Sequence, residues 1–473
     1  MNVLYRPSDG VAADFIPFYW KGHYHLFYLK DYRDWDGKRG YGMGTPWFHL
    51  VTRDFVKFDD WGEALARGTK DEQDLYVFTG SVIERDGLFN IFYTGHNSLL
   101  KEKQNLPMQG VMRATSSDLR TWTKKRDFLF LAPSDGYEPH DWRAPFVLWN
   151  EDAGEYWMLL AARKTTGPSR NRGCVALAAS PDLETWEVRE PFWMPDEYFT
   201  HECPDLFRIG RWWYLVYSTF TERCVTHYRM SRSLNGPWLA PANDTFDARA
   251  FYAAKTAGDG KRRYIFGWLP TRNGEKDDGG WEWGGELVTH EVVQQKNGTL
   301  AVRAPRTVAA HFNRAAMLSP TPVLGNWKTS ARSLSAASTG RHSILSLGLL
   351  PADGLIEAKV TFSTGTASCG LLLRCDETCD KYYQVRLEPG NRRIVFDRWP
   401  RPGDQPFVLE RPLAMKAGTP VTLRVLVDGS CVVVYANDAL ALSCRMYEHR
   451  EGGLGLFVTE GEAAFTGLTL RTR

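Results

Sequence analysis

A glycine followed by a strand dense in aromatic and aliphatic residues recurs along the chain: GHYHLFYL (22–29), GLFNIFYT (87–94), GEYWMLLA (154–161), GRWWYLVY (210–217) and GKRRYIFG (260–267). Each glycine marks the tip of a tight hairpin, where a residue without Cβ is easiest to place. A second pattern follows most of these strands: TRDFVKF (52–58), SSDLRTW (116–122), SPDLETW (180–186) and the looser SRSLNGPW (231–238). An Asp or Ser turn with an aromatic plug at fixed offset is what a repeated β-unit needs. Five copies of about 60 residues predict a five-bladed β-propeller, against the alternative of a sandwich with coincidental spacing. The first strand of each blade would line a central channel. Those strands precede the glycines: DFIPFYWKG (14–22), FTGSVIERDG (78–87), RAPFVLWNEDAG (143–154), CPDLFRIG (203–210) and FYAAKTAGDG (251–260).

The repeat stops near residue 310. A Ser/Thr/Pro-rich stretch, 311–340, reads as a linker. From 341 to 473 strict alternation returns, as in VTLRVLVDGSCVVVYAND (421–438), and predicts a separate β-sandwich. The expected fold is therefore all-β, with a propeller over 1–310 followed by a sandwich.

Bulk properties narrow the function. A net charge of +2 over 473 residues gives no field that favours nucleic acid or an anionic membrane as partner. Aromatic residues make up 13%, including 18 Trp. Most of these suit an all-β core, and the remainder could be platforms for flat sugar faces. No apolar run is long enough to span a membrane, and MNVLYRPSDG has no signal-like apolar stretch. The eight cysteines are scattered; only CDETC (375–379) brings two close, without the partners a zinc site needs. Free thiols in a cytoplasmic protein are expected.

The channel mouth brings the starts of the innermost strands together. Asp14 lies eight residues before Gly22 and Glu202 eight before Gly210, with Asp205 close by, while Arg143 and Ala144 occupy the third blade's equivalent stretch. A single carboxylate would ordinarily be a turn cap or a solvated charge. Two across a pocket are the minimum equipment for glycosidic cleavage, one to attack or activate water and one to protonate the leaving oxygen. No HExxH, P-loop or GxSxG is present, and YGMGTP (41–46) lacks the context of a dinucleotide site. Neither metal nor cofactor is expected.

At these residues the chain resembles glycoside hydrolase family 32, the β-fructofuranosidases, inulinases and levanases. KGHYHLFY, GTPWFHLVTRDFVKF, FTGS (78–81), HECPDLF, FYAAKT and the sandwich strand LRVLVDGSCVVVYAND carry the resemblance. It implies that Asp14 is a nucleophile at the anomeric carbon of a fructofuranosyl unit and Glu202 the general acid/base, supported by Cys203 and Asp205. Arg143 would reach a sugar hydroxyl, and Trp47, Phe78, Ser81 and Trp283 would shape the pocket around a small saccharide.

The sequence departs from the family at three points. The family's Trp-Met-Asn-Asp-Pro-Asn-Gly is here GVAADFIPF, which keeps Asp14 but loses its neighbours. Its Arg-Asp-Pro, whose aspartate holds two ring hydroxyls, is here Arg143-Ala144-Pro145. Val433 stands where the sandwich usually carries glutamate. An isolated loss inside an intact motif implies a copy with reduced turnover, by an introduced or a recent natural change. Two other readings stay open: an inverting arabino- or xylo-furanosidase of a related five-bladed family, with carboxyls about 6.5–9.5 Å apart rather than about 5–5.5 Å, and a sugar-binding module without turnover.

Overall fold

The computed structural model describes residues 3–34, 36–401 and 409–473. The innermost strands are β1 (Val11–Trp20), β2 (Tyr76–Arg85), β3 (Tyr137–Asn150), β4 (Glu202–Ile209) and β5 (Tyr252–Gly258). Each pairs antiparallel with the aromatic-rich strand that follows its hairpin. Between blades, β1 packs on β2 and β5, and β3 on β2 and β4; β4 packs on β5. The ring of five is thus closed around a central axis. A single register pair, Ala12 with Gly285, joins the last blade to the first.

The second repeat has a mechanism. Asp54, Asp118 and Asp182 each accept two backbone N–H groups through Oδ1. The next residue, Phe55, Leu119 or Leu183, turns to positive φ and is the buried plug. The aromatic residue three positions later, expected to be the plug, is only partly buried in Trp122 and Trp186.

The C-terminal sheets, of eight and seven strands, form the sandwich. The stretch 311–340 is not a linker. Arg314–Ala315 and Ser333–Ala337 pair with Glu462–Thr472, Thr321–Leu324 pairs with His342–Leu349, and Trp327–Thr329 pairs with Ser333–Ala337. Its polar composition reflects in part the edge strands Thr321–Leu324 and Trp327–Thr329, each at the end of its sheet, where Pro322 costs no ladder bond that must be kept. The two domains share an interface in which Leu426, Cys431, Val433 and Tyr435 join the core of the propeller. Val433, fully buried there, has become part of this apolar contact. Arg445, itself inaccessible, anchors the contact: Nε donates to the Pro270 carbonyl at 2.9 Å, Nη2 to that of Leu269 at 2.7 Å, and Nη2 also pairs with Glu286.

Candidate active site

Each innermost strand breaks its register with one extra residue at the same height: between Ala13 and Ile16, Phe78 and Gly80, Arg143 and Phe146, Glu202 and Asp205, and Tyr252 and Lys255. A β-bulge twists the strand and re-aims a side chain. Asp14, Ala144, Cys203 and Ala253 take φ of 45°, 55°, 52° and 48° at these bulges, a conformation uncommon for residues other than glycine. Asp14 is therefore equivalent to Cys203 and Ala144, and Glu202 to Arg143. Counting back from the glycines misplaces this by one residue, because Gly22 is the second residue of its two-residue turn and Gly210 the first.

The bulges open on one cavity of about 510 Å³, lined by both Asp14 and Glu202. Asp14 accepts from the Thr79 hydroxyl at 2.5 Å and from Trp268 Nε1 at 3.1 Å. Burial pushes its carboxyl up to about 6 and the charge of Glu202 adds to this, against the Thr79 and Trp268 hydrogen bonds and the charge of Lys255. Lys255, buried behind the pair, donates to the Pro204 carbonyl at 3.0 Å. Arg143 forks onto one oxygen of Glu202, from Nε at 3.1 Å and Nη2 at 2.9 Å. The other oxygen accepts from the Tyr252 hydroxyl at 2.5 Å. Burial and the charge of Glu202 hold that phenol well above its ordinary range, so Tyr252 is a donor at any working pH. Arg143 also pairs with Asp141.

Of the residues expected at the site, Asp14, Phe78, Arg143, Ala144, Glu202, Cys203 and Trp283 line the cavity. Three expected there do not. Trp47 is fully buried, its Nε1 donating to the carbonyls of Val77 and Phe78. Ser81 is buried and accepts the Val147 N–H, tying β2 to β3. Asp205 accepts the Thr256 N–H at 2.5 Å, tying β4 to β5. All three hold the ring together behind the pocket. His201, next to Glu202 in the chain, is packed among Trp193, Tyr198 and Tyr217; burial drives it down to about 3, leaving it neutral. Cys203 lines the cavity with the carboxylates, and burial raises its thiol well above the usual range.

Thr79, Tyr252 and Trp268 are the residues that sequence reading did not bring to the carboxylates. Thr79 and Tyr252 lie within FTGS and FYAAKT, but they align with the carboxylates only at the bulges, which leave no mark in the sequence. Trp268 sits on the second strand of its blade, opposite Tyr252.

Asp14 and Glu202, each fixed by donors and facing a cavity of small-molecule size, form a constellation fit for acid/base and nucleophilic work on an acetal. Comparison with known proteins agrees with this chemistry. The model of the glycosyl hydrolases family 32 N-terminal domain matches residues 10–302, and that of the family's C-terminal domain matches 326–472. A raffinose invertase of Escherichia coli is 26% identical over 491 residues, covering 96% of this chain and 90% of its own. A probable sucrose-6-phosphate hydrolase of Psychromonas ingrahamii is 26% identical over 93% of this chain and 76% of its own. Among solved structures, a fructan 1-exohydrolase IIa of Cichorium intybus in complex with 1-kestose superposes with a TM-score of 0.76 at 16% identity, covering 99% of this chain and 96% of that one. The sucrose-6-phosphate hydrolase of Lactobacillus gasseri gives 0.74 at 16% identity, over 100% of this chain and 92% of that one.

Proposed function

The chain belongs to glycosyl hydrolase family 32, as a glycoside hydrolase of the β-fructofuranosidase type, and from that premise we propose that it cleaves small fructosides with retention at the anomeric carbon. The observation that carries this reading is the placement of Asp14 and Glu202 on one cavity, each with its own set of donors. The ionised Asp14 carboxylate attacks C2 of a terminal fructofuranosyl unit. Glu202 gives its proton to the glycosidic oxygen as the C2–O bond breaks. The fructosyl ester on Asp14 is then attacked at C2 by water, whose proton returns to Glu202, and Asp14 leaves as carboxylate. Thr79 and Trp268 hold Asp14 in line. Arg143 and Tyr252 orient Glu202.

Small saccharides suit a cavity of about 510 Å³. Among the described residues Arg143 is the single cationic side chain lining it, and it is already paired with Glu202 and Asp141. That supports an uncharged substrate over a sugar phosphate. The eight cysteines are all free thiols, which supports a reducing, cytoplasmic setting. The described residues contain no helix long and apolar enough to cross a membrane.

A second reading, sugar binding with little or no turnover, is favoured by one observation: Ala144, on the cavity wall, offers a methyl group where the family resemblance implies a carboxylate. Both readings meet the same test. Proton NMR of the sugar first released from sucrose or 1-kestose should show the β-fructofuranose anomer before mutarotation. The α anomer would support the inverting alternative, and bound but uncleaved substrate the binding module.

A further inference from the structure

The far end of the propeller, where the innermost strands make their hairpins, carries a second cavity system between the third and fourth blades. Two pockets of about 410 and 290 Å³ share Asn150, Asp152, Arg208, Trp213 and Leu234, and so form one groove. Trp149 stands on its rim with 46% of its surface exposed. Among the described tryptophans only Trp399 is as open, and Trp283, at the active site, is less so. Trp149 is braced edge-on by Tyr156, its cross-strand partner, with ring centroids 4.7 Å apart, so the indole is presented on a rigid hairpin.

The polar groups are placed to complement it. Asn150 is 6% exposed yet lines both pockets. Its Oδ1 is taken by the N–H groups of Asp152 and Ala153, and its Nδ2 donates to no described residue. Held by its oxygen, the side chain leaves its Nδ2 open to the groove and available to a ligand acceptor. Arg208 and Arg232 on one side are balanced by Glu151 and Asp152 on the other. The groove therefore offers planar donors and acceptors without net charge, which disfavours phosphates and nucleic acid. An exposed indole beside amide, carboxylate and guanidinium groups suits the apolar ring face and vicinal hydroxyls of a neutral sugar.

We propose that this groove is a second saccharide site, separate from the catalytic cavity, which holds a neutral fructose-containing oligosaccharide. The kind of sugar rests on the function proposed above; the existence of the site does not. Its position at the opposite end of the channel strands makes it an anchoring site that raises the local concentration of fructan or oligosaccharide without touching the reacting bond.

Affinity electrophoresis of the full chain through gels containing inulin, levan or amylose tests this, with sucrose hydrolysis measured in parallel. The unaltered chain should be retarded by inulin or levan and not by amylose. Trp149→Ala, and separately the surface pair Asp152→Ala with Asn235→Ala, should weaken retardation about tenfold or more while kcat on sucrose stays unchanged. Because the second variant removes only exposed groups, a misfolded Trp149→Ala would not leave the question open. Equal retardation of all three chains, retardation abolished by Trp283→Ala at the active site, or none in any gel would overturn the site. Retardation by amylose in place of fructans would overturn the assigned sugar, and loss of sucrose hydrolysis in the unaltered chain would count against the proposed function alone.

Discussion

Ala144→Asp should convert this chain into a much faster enzyme, and the structure shows why the change is feasible. Ala144 is 3% exposed on the cavity wall, at a β-bulge with φ of 55°. The equivalent bulge of the first blade already carries an aspartate, Asp14, at φ of 45°. Aspartate tolerates this left-handed region better than alanine, so the backbone is prepared for it. The Ala144 N–H, bonded to Thr94 Oγ1 at 2.7 Å, is unaffected. A carboxylate here can accept from two ring hydroxyls. At ~1.5–3 kcal/mol for each charge-assisted bond, the gain is about 3–6 kcal/mol, or roughly two to four orders of magnitude if it is felt in the transition state. One effect opposes it: a third carboxylate near Asp14 and Glu202 raises Asp14 further, so the comparison belongs at about pH 8, well above Asp14's value near 6. The assay is initial fructose release from sucrose and 1-kestose. About a hundredfold or greater rise, mostly in kcat, is expected. A folded variant with no gain on either sugar would refute the reasoning and make Ala144 native to another chemistry.

Other outcomes follow from the same contacts. Glu202→Gln removes the like charge that helps to raise Asp14, so with an activated aryl fructoside the acid limb of kcat/KM should move below pH 6; a limb that stays put would disconnect the two groups. Asp14→Asn should stabilise the fold at high pH. A carboxyl raised to about 6 when folded contributes stability below its unfolded range that is lost as pH rises through 6, so the gain in Tm should be large at about pH 8 and vanish near pH 4. Arg445→Met strands the buried Glu286 with only the 3.5 Å contact from Arg6 and should cost about 3–5 kcal/mol, read as a lower urea midpoint; an unchanged midpoint would show that the apolar interface alone joins the domains.

The five-blade plan was legible because hairpin glycines and aromatic strands repeat in the sequence itself, and the alternating strands after 341 were equally plain. The strands within 311–340 were not, since they are short, two of them end their sheets, and their Ser, Thr and Pro imitate a linker. At the site, Asp14, Arg143 and Glu202 were legible by type and motif. Their true alignment was hidden because a bulge adds a residue without leaving a compositional mark. Trp47, Ser81 and Asp205 sit in recognisable motifs, yet those motifs record how the blades are tied together. Thr79 comes from the second blade and Tyr252 and Trp268 from the fifth, and only closure of the ring makes them neighbours of the carboxylates.

The central claim is that Asp14 attacks the sugar while Glu202 handles the proton. The most direct measurement uses the Glu202→Gln chain and a β-fructosyl donor with a good leaving group, which needs no acid for the first step but lacks the base for the second. After an acid quench and proteolysis, mass spectrometry should find the peptide containing Asp14 heavier by one anhydrohexose unit, with fragment ions placing the sugar on Asp14. A sugar on any other residue, or rapid release of inverted fructose with no adduct, would contradict the account.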